Sequence, residues 1–252
     1  MISLTGSIIL AFGCLCLLAL AALKSTTTST ATERWVGWGV IGLYLVFFIW
    51  LGIDRGHIPP LGADEGILSI SFFGLTLWAS IHQVMPLPRK ISTVGLLLIT
   101  LLTCWGIYLI WRNPVYYGSL PLRLWHLAGS VLVLLGVAAL VWLAAISMVL
   151  WYDNIQAKSE IQPETTILWI TEKLQLIVIY TMFLGAILLI SRSWWGWAQL
   201  SKAGLASLSL CLFIVAAWWT RFTWPQRRWW MWSLTMLSLL SLIMLLPIIV
   251  AL

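Results

Sequence analysis

Long apolar runs separated by short polar connectors account for most of the chain, and their length decides what they predict. Such runs lie near residues 4–23, 34–53, 66–85, 91–111, 124–151, 167–191, 203–222 and 229–251. A helix rises about 1.5 Å per residue and a bilayer core is roughly 30 Å thick, so one crossing takes about 20 apolar residues. The strands of a membrane barrel would alternate apolar and polar positions, whereas stretches such as 94–102 and 242–249 are apolar on every side. The pattern predicts an all-α polytopic membrane protein with about eight transmembrane helices in one bundle. No connector is long enough to fold by itself and no repeat of fixed period is seen, so residues 1–252 read as a single domain. The first run lacks the basic segment that opens a secretory signal and is read as a true span.

Composition agrees with that pattern. Hydrophobic residues make up 62% of the chain and charged residues 9%, too few polar groups to cover a soluble domain of this size. The net charge of +6 arises from basic residues scattered singly among connectors, with none of the continuous stripe that nucleic acid requires. Lys and Arg accumulate on the cytoplasmic side of membrane proteins. Connectors after spans 1, 3, 5 and 7 hold Lys24, Arg34, Arg89, Lys90, Lys158, Arg221, Arg227 and Arg228, against Arg55, Arg112, Arg123, Arg192 and Lys202 after spans 2, 4 and 6. Both termini are therefore expected on the outer side of a bacterial plasma membrane or an organellar energy-transducing membrane. Cys14, Cys16, Cys104 and Cys211 are spaced for neither a disulfide nor a metal site and read as small buried hydrophobes.

The candidate chemistry sits in the connectors of the outer side. Nine of the 19 tryptophans fall between Trp194 and Trp232. Those near Arg227 and Arg228 read as an interfacial belt. Trp194, Trp195 and Trp197, close to Arg192, could instead form an aromatic shelf for a flat, apolar, dianionic ligand such as haem. An axial ligand would have to come from three histidines. His126 follows Arg123 at the opening of span 5, His57 lies in the first outer connector, and His82, near the inner end of span 3, reads as interfacial. Glu172 and Lys173 lie about one turn inside span 6, where both can snorkel to the interface. A proton or ion pathway would need further intramembrane carboxylates, and none is evident. Phosphate loops, zinc-protease and serine-hydrolase motifs are absent, so conventional catalysis is not expected.

The outer connectors resemble a known family. Gly56-His57-Ile58-Pro59, followed by Glu65, Ile67 and Leu68, resembles the GHFPxxxxxESL segment of cytochrome c assembly proteins of the CcsA type, which include CcmC and the HemX-like proteins. Arg123-Leu124-Trp125-His126 is similar to the outer histidine segment of that family, and residues 192–202 stand where its tryptophan-rich WWD loop would be. Trp218-Trp219-Thr220-Arg221 resembles the end of the following family helix. The resemblance runs from about residue 50 to the C-terminus. It implies haem held on the outer side against the Trp loop, with His126 as one axial ligand, in cytochrome c biogenesis. It also implies an assembly partner or other membrane subunits. Two departures stand beside it: the loop lacks the terminal Trp-Asp pair, and Trp219 occupies the position of a family histidine. An alternative is therefore a degenerate, non-catalytic relative acting as a structural or regulatory, HemX-like subunit of a membrane complex.

Overall fold

A computed structural model describes residues 2–23, 30–56, 63–85, 87–112, 124–157 and 165–194. They form six helices: α1 (Ile2–Leu23), α2 (Thr30–Arg55), α3 (Ala63–Val84), α4 (Arg89–Arg112), α5 (Leu124–Ala157) and α6 (Thr165–Trp194). All match expected spans in order. The expected spans at 203–222 and 229–251 lie outside the described residues, as does Cys211. Among the described residues, five helices are long and apolar enough to cross a membrane, and the apolar part of α1 that qualifies, Gly6–Ala19, is shorter.

The helices outrun the apolar stretches that announce them. Transmembrane α2 starts at Thr30, four positions before the predicted boundary, and the 34 residues of α5 extend to about 51 Å at helical rise. Hydropathy marks the part of a helix that lies in hydrocarbon, whereas backbone hydrogen bonding continues into the headgroup layer.

Exposure confirms the solvent for which these helices are built. Large apolar side chains stand open at Ile8, Phe12 and Leu15 of α1, at Val46, Ile49 and Ile53 of α2, and at Tyr180, Phe183, Leu184 and Ile187 of α6. Runs of exposed apolar surface along successive helical turns suit lipid and not water. Aromatic groups gather near helix ends: Trp35 and Trp38 on α2, Tyr108 and Trp111 beside Arg112 on α4, and Trp151 and Tyr152 on α5. Lys173 is exposed and lays its Nζ over the Trp169 ring, 5.6 Å from its centroid, the snorkelled arrangement expected of a cation near the interface. Among the described residues every element is helical, and the apolar helices make the chain an integral membrane protein.

By backbone contacts the chain divides into two compact units, residues 1–122 and 123–252. In the first, each of α1 to α4 packs against its neighbour in sequence and α1 also packs against α4, closing a ring. The pairs are antiparallel. Gly13 faces Val40 and Leu43, and Gly106 faces Leu68 while Trp78 meets Ser92. The core of this unit includes Leu10, Tyr44, Ile67, Trp78 and Ile99, each nearly inaccessible.

In the second unit α5 and α6 form a tightly packed antiparallel pair. A Cβ on Gly136 would lie 2.8 Å from Thr181 Oγ1 and 2.9 Å from Met182 Cγ; one on Gly185 would lie 2.9 Å from Val133 Cγ2 and 3.1 Å from the Gly129 carbonyl oxygen. Small residues let backbones approach in lipid, where packing rather than a hydrophobic driving force holds helices together. From Ala138 to Ala145 every α5 residue is buried.

Candidate functional site

The register of α5 and α6 governs where the expected ligand residues fall. Gly136 meets Thr181 and Met182, and Gly185 meets Gly129 and Val133. Continuing this antiparallel register toward the start of α5 sets His126, in the first turn, across from the last turn of α6 at Ser191–Trp194. His126 and Trp194 are thus brought to the same end of one helix pair at backbone level, and Arg192 belongs to that turn. Arg123, His57, Trp195 and Trp197 lie outside the described residues. Gly56, with φ at 72°, takes the left-handed conformation that glycine tolerates best and ends α2 immediately before His57. Its N–H donates to the Gly52 carbonyl at 2.9 Å.

Reading the residues in sequence missed three buried polar groupings in the first unit. At one end of the α2–α3 pair, Arg55 Nη1 donates to Glu65 Oε1 at 2.8 Å, with side chains 4% and 0% exposed. Glu65 was legible as part of a family-like segment, but its pairing with Arg55 was not. The two flank a connector whose sequence is rich in Gly and Pro, and opposite charges at the facing ends of successive spans are the signal that could have suggested the pair. A charge this far from water needs a partner, because desolvation of a lone carboxylate or guanidinium costs several kcal/mol.

At the opposite end of the same helix pair, His82 Nε2 lies 3.5 Å from Glu33 Oε2, and both side chains are buried. His82, expected near the interface, lies in the last turn of α3 with its side chain buried. It stacks on Trp78, with ring centroids 5.2 Å apart and planes 13° apart, and its Nδ1 accepts from the Leu87 N–H at 3.4 Å. The Trp78 indole N–H donates to Ser92 Oγ at 2.8 Å. Four side chains from α2, α3 and α4 are thereby joined. Glu33 and Glu65 also correct the expectation that no carboxylate lies within the membrane helices besides Glu172: both had been assigned to connectors, and both are buried inside helix ends.

The third grouping lies midway along the helices. The Tyr44 hydroxyl hydrogen-bonds Thr103 Oγ1, and Cys14 Sγ stands 3.5 Å from the Tyr44 hydroxyl and 3.8 Å from Thr103 Oγ1. Thr103 also donates to the Ile99 carbonyl at 2.8 Å. Cys14 fulfils the expectation of a buried small residue, whereas Cys104 is exposed and Cys16 half-buried. Cys104 therefore departs from that expectation: a weakly polar thiol can face lipid, so apolar surroundings in sequence do not imply burial.

Among the described residues no cluster of three or more His, Cys, Asp or Glu side chains could hold a metal ion. An axial haem ligand requires one imidazole and not a cluster. Comparisons with known proteins return no matching protein family, curated protein or solved structure.

Proposed function

We propose that the protein is a haem-binding or haem-handling membrane protein resembling the cytochrome c assembly family. Haem would rest at the end of the second unit formed by the first turn of α5 and the last turn of α6. The observation that supports this reading is the shared level of His126 and Trp194 in the antiparallel α5–α6 pair. One imidazole supplies iron with a nitrogen ligand, indole offers a face for the macrocycle, and Arg192 or Arg123 suits a propionate. Trp195 and Trp197 complete the proposed residue set of this unit. When bound, haem would supply the iron chemistry, and the chain itself would hold and orient it. With both termini outward, this end faces the outer side, where cytochrome c is matured.

The test is the absorption spectrum of the full chain purified in detergent. A Soret band that weakens in His126→Ala, while the variant remains folded by circular dichroism, supports the reading. A haem-supplemented chain without such a band, or with one indifferent to His126→Ala, removes it.

One observation favours a second reading, a structural or regulatory subunit without haem. Several buried polar groups in the first unit are engaged with one another, as Arg55 is with Glu65 and Tyr44 with Thr103, and such internal pairing is what a scaffold needs. In that case the chain would co-purify with other membrane subunits and show no Soret band of its own.

A further inference from the structure

We propose that Glu33 and His82 form a proton-operated latch that couples the start of α2 to the turn between α3 and α4. The argument begins with the two ring nitrogens. Nδ1 accepts a hydrogen bond from the Leu87 N–H, so it carries no proton in the arrangement seen, and the ring hydrogen lies on Nε2, facing Glu33 Oε2 at 3.5 Å. That separation is longer than an ordinary hydrogen bond, and a charge-assisted one would be shorter, so the contact has room to tighten when the ring becomes charged. The ring cannot turn away easily. One face is stacked on Trp78, Trp78 is tied to Ser92, and the Gly37 backbone approaches so closely that a Cβ there would fall 2.5 Å from Trp78 Cζ3.

Nδ1 is the ring nitrogen without a hydrogen, so an added proton binds there in competition with the Leu87 N–H. Binding it there turns imidazole into imidazolium and sets two donors against each other, so the Leu87 N–H loses its acceptor. The same event strengthens the contact between Nε2–H and the Glu33 carboxylate. Protonation therefore exchanges a bond that holds the α3–α4 turn for one that holds α2 to α3. Histidine is the side chain whose charge ordinarily changes near neutral pH.

The other charged groups of this end, among the described residues, are Arg34 beside Glu33 on α2 and Arg89 and Lys90 in the exposed first turn of α4. Ser92 on α4 and the Leu87 backbone also lie beside the Trp78–His82 stack, and the last turn of α1 carries no titratable side chain.

The experiment uses the full chain in lipid nanodiscs with ¹⁵N-labelled histidine; three histidines are present, and His82→Gln assigns the signal. At alkaline pH His82 should show a single tautomer with its proton on Nε2. On acidification Nδ1 should become protonated, and amide exchange protection at Leu87 should fall by about tenfold over the same pH interval, the loss of one hydrogen bond. Glu33→Gln keeps the shape and removes the charge, and should abolish the coupled step while leaving the helical circular dichroism unchanged. The latch is overturned if His82 stays neutral while the helices remain intact, if it carries its proton on Nδ1 at alkaline pH, or if it titrates without any change at Leu87. A titration unaltered by Glu33→Gln overturns it as well.

Discussion

Arg55 and Glu65, separated in sequence by nine residues that include Pro59 and Pro60, face each other at 2.8 Å with almost no exposure. Their pairing ties the end of α2 to the start of α3, at the opposite end from Glu33 and His82. A buried contact at each end of one helix pair, Arg55 with Glu65 and Glu33 with His82, restrains both its register and its tilt.

Truncating one partner of the first pair removes the buried opposite charge facing the other. Glu65→Ala or Arg55→Ala should destabilise the first unit by about 3 to 5 kcal/mol, read as a lower midpoint in thermal unfolding in detergent. The double variant Arg55→Met with Glu65→Leu should lie closer to wild type than either single truncation. A double variant as unstable as the sum of the singles would show that the pair does not act as a unit.

The closeness of α5 and α6 depends on the absence of side chains at two positions. Gly185→Ala puts a methyl 2.9 Å from Val133 Cγ2 and against the Gly129 carbonyl, and backbone cannot yield as a flexible side chain can. A loss of about 1 to 3 kcal/mol is expected, together with faster proteolysis of the second unit. Gly39, where an added Cβ meets nothing within 4 Å, supplies the control: Gly39→Ala should be neutral or slightly stabilising.

Tyr44→Phe removes the hydroxyl that joins Thr103 and Cys14 and leaves the ring in place. Thr103 retains its bond to the Ile99 carbonyl, so no donor is stranded. The cost should be about 0.5 to 1.5 kcal/mol, in the range of interhelical hydrogen bonds in membranes, and clearly below that of Glu65→Ala in the same melting assay.

Lys173→Met offers a contrast. The ammonium lies over Trp169 at an exposed site, where such contacts contribute about 0.5 to 1 kcal/mol. The melting midpoint should move little, and less again in high salt, where a surface charge is screened.

Much of the architecture was legible because hydropathy responds to a single variable, the solvent. Residues 91–111 predicted a span, and α4 runs from Arg89 to Arg112; the other described helices follow their runs in the same way. Ends were less legible, as at Thr30 and Ala157, because polar residues continue a helix outside hydrocarbon without an apolar signal. The candidate site was legible in part. His126 and Trp194 could be named from composition and from a family-like pattern, and a common depth at the outer ends of spans 5 and 6 was expected; the register of α5 against α6 gives it at backbone level.

The sequence alone determined that the chain lives in a membrane as helices, because apolar runs of that length have no other stable solution once every backbone group must be satisfied internally. Tertiary structure decided which polar residues are partners. Arg55 and Glu65, Glu33 and His82, and Tyr44 with Thr103 come from different helices, and their meeting depends on helix rotation and register, which hydropathy does not encode. Side chains such as Glu33 and His82, which look like interfacial residues one at a time, become a buried pair only when α2 and α3 are set side by side.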